Sequence, residues 1–433
     1  MKLFGSSGIR AVFDKGLLTL AFRAGLAVGR QYHNVVVGRD TRTSGDAMRH
    51  AVISGLRAAG AQCYDAGITP TPTLAYAARG FDVGMMITAS HNPPEYNGLK
   101  FINPDGSSFG DAQQGQIEDV VSAELFGTAR WDEMKDCNLY EGAIARHTEG
   151  IMSHFTRNLK VKVAVDAGGG AASEVTPPLL EKLGCEVITL NCRPTGIFPR
   201  GIEPGEENLN ELCRAVRESG AAVGIAHDGD ADRMMAIDER GRYISGDKLL
   251  VILARAVGAK EVVTTLDASM AIETMGFHVR RTRIGDTWVS EELRKGGDFG
   301  GETSGAWIFP AISLCPDGIY AAAQIAAIGA QNRLSELADA IPVYPLQRGS
   351  VGSDGVDNAR LESKLKTMKP RTITNTDGLK LDFDDGWLLV RPSGTEPKIR
   401  LTAEAKTEAR AKQLYNEGLK AVRESLKTGR KVN

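Results

Sequence analysis

The 433-residue chain exceeds the size that one hydrophobic core organises and predicts three or four domains. Its 42% hydrophobic and 24% charged content is that of a soluble globular protein, and a formal charge of -2 supplies no general attraction to nucleic acid or anionic lipid. No apolar stretch has the length of a membrane span, the start MKLFGSSGIR carries no secretory signal, and the six cysteines form no CxxC pair, so a reduced cytoplasmic protein with no membrane partner is expected.

In chain order, Phe4-Gly5-Ser6-Ser7-Gly8 is a loop whose backbone can approach a ligand, and Arg10 behind it is placed to reach an anion or a surface carboxylate. Val35-Val36-Val37 reads as a strand, and a helical pattern follows from about Gly45 to Ala59. Met85-Met86-Ile87 is a second strand. It runs into Thr88-Ala89-Ser90-His91-Asn92, where Pro93-Pro94 forbid both a further ladder and an immediate helix. Ser90 therefore lies on a stiff loop at a strand end, where open α/β sheets carry their chemistry.

The plan recurs. Val161 to Val165 leads into Gly168-Gly169-Gly170, read as a tight strand-to-helix turn, and Val223 to Ala226 leads into His227-Asp228-Gly229-Asp230-Ala231-Asp232-Arg233. A third round takes Val262 to Leu266 and then Phe299 into Gly300-Gly301-Glu302-Thr303-Ser304-Gly305. Each round continues into a Gly-Asp or Asp-Gly pair that opens a helix: Gly110-Asp111, Gly246-Asp247 and Asp317-Gly318. Three copies of one α/β unit, each presenting a polar loop at its sheet edge, account for this order. Past residue 345 the pattern changes. Gly349 to Asp357 reads as a linker, and the rest, with helices near 358–367 and 406–426, as a smaller α+β domain.

Asp228, Asp230 and Asp232 alternate, so on an extended loop all three carboxylates face one way. They repel one another unless a cation neutralises them, and hard oxygen ligands suit Mg²⁺. A calcium EF-hand shares the D-x-D-x-D opening, but it wants Gly at its sixth position, where Arg233 stands, and helical flanks in place of VGIA and MMAI. Arg391, Ser393, Gly394 and Thr395 combine a guanidinium, two hydroxyls and an open backbone N–H, a set suited to phosphate oxygens. Glu302 and Ser304 suit sugar hydroxyls. A loop serine, a magnesium-type triad, a sugar-type loop and a phosphate cradle together point to phosphoryl transfer on a phosphorylated sugar. A magnesium-dependent sugar phosphatase and a non-catalytic sensor are the alternatives. The sensor needs neither Ser90 nor the aspartates, yet all are present.

TASHNPPEYNG, DGDADR, GETSG and RPSGTEP resemble, in this order, the phosphoserine, magnesium, sugar and phosphate loops of the α-D-phosphohexomutases, and FGSSGIR and IGDTWV also resemble family stretches. The resemblance implies four α/β domains around a central cleft: a phosphoserine-loop domain (1–150), a metal-binding domain (151–246), a sugar-binding domain (247–344) and a smaller α+β phosphate-binding domain (345–433). It implies one Mg²⁺ per chain, held by phosphorylated Ser90 with Asp228, Asp230 and Asp232, and a hexose 1,6-bisphosphate as activator and intermediate. It further implies that Lys100 and His91 aid proton transfer, that Arg10 and Arg233 lie near the phosphoryl group, and that Glu302 and Ser304 grip the sugar. Arg391, Ser393, Gly394 and Thr395 would hold the phosphate that does not react. The expected partner is a small phosphosugar, bound by a monomer or homodimer. GETSGAWIF and IGDTWV are most similar to archaeal members acting on glucosamine phosphates, which implies interconversion of the 6- and 1-phosphates; phosphomannomutase/phosphoglucomutase activity is the alternative. Where many members follow the sugar loop's glycine with histidine, this chain has Ala306 and Trp307.

Overall fold

A computed structural model describes residues 3–5, 8–124, 127–155, 158–353, 356–392 and 397–426. Contacts divide the chain into two compact units, residues 1–263 with 285–340 and residues 264–284 with 341–433.

The first unit opens with a six-stranded mixed sheet of β1 (Ile9–Val12), β2 (Asn34–Arg39), β3 (Gln62–Ile68), β4 (Val83–Ile87), β5 (Tyr96–Ile102) and β6 (Cys137–Leu139), in the order β1-β5-β4-β2-β3-β6. Its central strands, β4 (VGMMI) and β2 between Asn34 and Arg39 (VVVG), are continuously apolar because both faces are covered. Val35, Val37, Met85 and Ile87 point into one cluster, packed with residues of helices α1 (Lys15–Gln31) and α2 (Gly45–Ala58). The intervening Val36 and Met86 point the other way, against Leu74 and Ala75 of helix α3 (Thr71–Ala77). This period of two within a continuous apolar run is the signature of a strand buried on both sides.

The second repeat places β7 (Lys162–Asp166), β8 (Glu186–Leu190), β9 (Val223–His227), β10 (Met234–Asp238) and β11 (Tyr243–Ile244) in the order β11-β10-β9-β7-β8. The third supplies β12 (Glu261–Thr265), β13 (His278–Thr282), β14 (Phe299–Glu302) and β15 (Ala306–Ile308). The repeats share a construction finer than the sequence reading anticipates. Parallel β2 and β4 correspond to parallel β7 and β9. Each then closes an antiparallel hairpin, β4–β5, β9–β10 and β14–β15. The three polar loops are the connections of these three hairpins. The Pro93-Pro94 stop is thus local: after the loop the chain returns as β5 and pairs from Leu99 to Ile102 with β4.

In the second unit β16 (Leu346–Gly352), β17 (Thr372–Thr374), β18 (Leu379–Phe383), β19 (Gly386–Pro392) and β20 (Lys398–Ala405) form an antiparallel sheet in the order β16-β20-β19-β18-β17. Helices Asn358–Lys366 and Glu408–Glu424 bury Leu361, Leu365, Leu414 and Val422 on one of its faces. Leu266, Met270, Trp387 and Leu389 form a second, smaller cluster. The start of the expected linker, Gly349 to Gly352, is strand, paired with β20 from Leu346 to Gly352. Gly349 is there for space: a Cβ would lie 2.1 Å from the Tyr415 hydroxyl.

Candidate active site

The hairpin loops of the first two repeats meet. The Ser90 hydroxyl donates to Asp228 Oδ2 at 2.8 Å and lies 3.3 Å from His91 Nδ1. Ser90 itself is in the left-handed region (φ 51°), a conformation that costs a non-glycine residue energy and persists only where its surroundings impose it. The imposing group is Arg42. Its buried guanidinium uses all five N–H donors: Nε to Asp40 Oδ2 (3.1 Å), Nη2 to Ser90 O (2.8 Å) and Asn92 O (2.7 Å), and Nη1 to Pro93 O (2.6 Å) and Tyr96 O (2.9 Å). Asp40 also accepts from the Thr88 hydroxyl at 2.7 Å, and Thr88 Oγ1 accepts from Ser90 N at 2.8 Å. The serine loop is therefore tied at four carbonyls and one N–H to a buried ion pair.

The aspartate loop is bent where the sequence reading expects an extended one, because Ala231 is left-handed (φ 59°). The carboxylates nevertheless converge: one oxygen each from Asp228, Asp230 and Asp232 lie within 4.8 Å of one another, all buried. Lys100, on β5, donates to Asp230 Oδ2 (2.7 Å) and Asp232 Oδ2 (2.5 Å), and Thr71 at the start of α3 donates to Asp230 Oδ2 (2.5 Å). Asp230 Oδ1 and Asp232 Oδ1 are buried and accept no hydrogen bond among the described residues. Burial first, then Asp232 and Asp230, pushes the Asp228 carboxyl well above the usual carboxylate range. Asp230 moves the other way: against burial, Lys100 and Thr71 hold it below that range. Three buried carboxylates, one ammonium and two orphaned acceptor oxygens fit a hard divalent cation.

Gly229 lets the two loops touch, since a Cβ there would lie 2.7 Å from Ser90 O. Arg200, which sequence reasoning missed along with Arg42, donates to Asp166 Oδ2 (2.9 Å) and His227 O (2.7 Å) behind the aspartate loop. Neither arginine stands in a motif that marks it, and their partners lie 27 or more residues away along the chain, Asp40 and Gly201 excepted. Around the serine, Arg10 Nη1 donates to Asn92 Oδ1 (3.1 Å), and Arg233 Nη1 pairs with Glu203 (2.8 Å) while its backbone N–H donates to Asp228 Oδ1 (3.3 Å). Burial, then Arg233 and Arg10, lowers the His91 imidazole to about 3.

The third loop joins the second through the backbone. Met234 N donates to Gly305 O (3.0 Å), Arg233 and Ala306 form an isolated bridge, and the Trp307 indole N–H donates to Met234 O (2.8 Å). Trp307, fully buried, is thus a packing anchor rather than a replacement for a ligand histidine. Glu302 Oε1 accepts from Gly285 N (2.7 Å), which gives the IGDTWV stretch a role in setting that carboxylate. The Ser304 hydroxyl is buried with no hydrogen-bond partner among the described residues. In the other unit, Arg391 Nε pairs with Asp377 (2.9 Å), while Ser393, Gly394 and Thr395 lie outside the described residues.

Profiles of phosphoglucomutase/phosphomannomutase α/β/α domains I, II and III match residues 1–128, 145–241 and 245–344, and the C-terminal domain profile of the same enzymes matches 356–420. The chain belongs to the phosphoglucomutase/phosphomannomutase family, has its four-domain α/β fold and is a phosphohexomutase enzyme. Among curated relatives it is 48% identical over 420 residues (94% of this chain, 96% of the relative) to a probable phosphoglucosamine mutase of Methanococcoides burtonii. It is 41% identical over 451 residues (98% and 99%) to a phosphoglucosamine mutase of Methanococcus aeolicus. Among solved structures, a phosphoglucomutase/phosphomannomutase family protein of Burkholderia thailandensis superposes with a TM-score of 0.86 at 27% identity, covering 98% and 97% of the two chains. No helix among the described residues is long and apolar enough to cross a membrane.

Proposed function

We propose that the protein interconverts glucosamine 6-phosphate and glucosamine 1-phosphate through a phosphoserine at Ser90 and a bisphosphate intermediate, with one Mg²⁺ per chain. The observation that carries this reading is the Ser90 hydroxyl 2.8 Å from Asp228, beside two buried carboxylate oxygens that accept no hydrogen bond among the described residues. The relatives named phosphoglucosamine mutase supply the choice of sugar.

In this reading Asp228, Asp230, Asp232 and the oxygen of Ser90 hold the cation, which when bound withdraws charge from the phosphoryl oxygens. Ser90 gives its phosphoryl group to the free hydroxyl of the hexose monophosphate and receives the other phosphoryl group of the bisphosphate in return. Neutral His91, beside Ser90, accepts the proton that the attacking hydroxyl loses, and Lys100, whose ammonium Asp230 and Asp232 keep protonated against burial, supplies a proton to the departing oxygen. Arg10 and Arg233 neutralise charge at the transferring group. Glu302 and Ser304 hold sugar hydroxyls, and Arg391 with Ser393, Gly394 and Thr395 holds the resting phosphate. The four domains divide at 1–150, 151–246, 247–344 and 345–433, with one of the four motif loops in the sequence of each.

Ser90→Ala tests this. Turnover is expected to fall below detection while the circular dichroism spectrum and melting temperature stay those of the parent, and peptide mapping of the unsubstituted protein after exposure to glucose 1,6-bisphosphate should find phosphate on Ser90. Substantial residual mutase activity in the variant would contradict the phosphoserine role.

A further inference from the structure

Two cysteines far from the site stand opposite each other. Cys63 on β3 and Cys137 on β6 are register partners in a parallel pair, so their side chains leave the same face of the sheet. Both point into the cluster formed with α1 and α2, Cys63 fully buried and Cys137 half-buried at the edge strand. The edge strand is not free to slip. Arg57 Nε donates to Lys135 O (2.7 Å), Gln62 Nε2 to Asp136 O (2.9 Å) and Tyr140 N to Asp65 O (2.8 Å). Adjacent strands run about 4.8 Å apart, within the roughly 4.4–6.8 Å Cα separation a disulfide spans.

We propose that Cys63 and Cys137 are a reversible disulfide site that ties the edge strand β6 to β3. The chemistry is distributed between the two thiols. A hydrogen bond to Cys137 and then burial push the Cys63 thiol up, whereas the hydrogen bond from Cys63, helped by Arg49 and Arg57, lowers that of Cys137 against the opposing effects of burial and Asp65. Cys137, the more accessible of the two, is therefore the attacking thiolate and Cys63 the resolving thiol. The Cys137 thiolate attacks a low-molecular-weight disulfide, forming a mixed disulfide and expelling one small thiolate. Cys63 then passes its proton to that thiolate and attacks the Cys137 sulfur, expelling the second. Two protein thiols are oxidised and one small disulfide is reduced to two thiols. Excess small thiol reverses the sequence by the same exchange steps run backwards.

The test uses the full chain under native conditions. After incubation with oxidised glutathione, alkylation and proteolysis, mass spectrometry is expected to find the Cys63 and Cys137 peptides joined. Thiols titrated in denaturant should fall from the six of the sequence to four and return to six after dithiothreitol. The Cys137→Ser protein should keep its remaining five titratable thiols under the same treatment. Six surviving thiols, glutathione retained on Cys137 with no joined peptide, or a pair involving any other cysteine would each overturn the proposal. Mapping the unsubstituted protein decides the matter even if the variant folds poorly.

Discussion

Arg42 shows how much of the site depends on a residue that touches no reacting atom. Removing its side chain leaves Asp40 buried without its cation and four loop carbonyls without their donors. Breaking a buried pair in this way costs about 3–5 kcal/mol. Arg42→Ala should therefore lower the urea midpoint markedly, and at temperatures where it stays folded its kcat should fall more than its KM rises, because Ser90 loses its fixed orientation. A variant of parental stability would mean that the guanidinium is dispensable. Lys380 makes the opposite case. Burial, then Arg281, lowers its ammonium from the ordinary value to about 8 in the fold, with Asp382 3.8 Å away and the Trp387 ring beneath it at 4.9 Å. Because the folded value is depressed, the unfolded chain binds the extra proton. The group thus penalises folding at pH 7, and the penalty is relieved as pH rises from about 8 to 10.5. Lys380→Met should stabilise the protein at pH 7 by roughly 2–3 kcal/mol, with the difference vanishing above the unfolded value. Equal stability gains at pH 7 and pH 10.5 in denaturant titrations would contradict the assignment.

The hairpins and the helices that follow them are the working elements. In the second and third repeats the glycine that opens the next helix is pressed against an active loop. A Cβ at Gly318 would lie 2.5 Å from Arg233 O and 2.7 Å from Ala231 O, and at Gly246 it would run into Thr303 O. The Gly-Asp and Asp-Gly pairs are thus more than helix starts. They let a helix end seat the aspartate loop in one case and the sugar loop in the other. Gly318→Ala should push the aspartate loop out of register with Ser90, lowering kcat by at least tenfold, equivalent to about 1.4 kcal/mol, while the secondary structure persists. Unchanged kinetics would show that the loop holds its shape without that contact. At this scale the sequence was most readable where punctuation is sharp. The expected helix from Gly45 to Ala59 is observed as Gly45–Ala58, and the three polar loops fall where the strand ends were expected. Reading failed where glycine serves close packing, as at Gly349 inside β16, because composition alone does not separate a linker from a strand pressed against a tyrosine.

Across the whole molecule the threefold repeat was legible as a recurring plan, and the family in the loops that carry it. The bracing was not. Arg42 reaches the serine loop across about 50 residues, and Arg200 reaches His227 across 27, contacts that no local pattern announces. The grouping of residues 264–284 with the C-terminal residues also has no mark in composition. Sugar preference is the least readable property, since Ala306 engages its neighbours through its backbone and Trp307 is consumed by packing. The most direct test is ³¹P NMR with Mg²⁺ and catalytic glucose 1,6-bisphosphate, offering glucosamine 6-phosphate, mannose 1-phosphate and glucose 1-phosphate separately. Isomerisation fastest with glucosamine 6-phosphate, with no net release of phosphate, is the predicted result. Faster turnover of the neutral hexose phosphates would contradict the assigned sugar, and free phosphate without isomerisation would contradict the mutase itself.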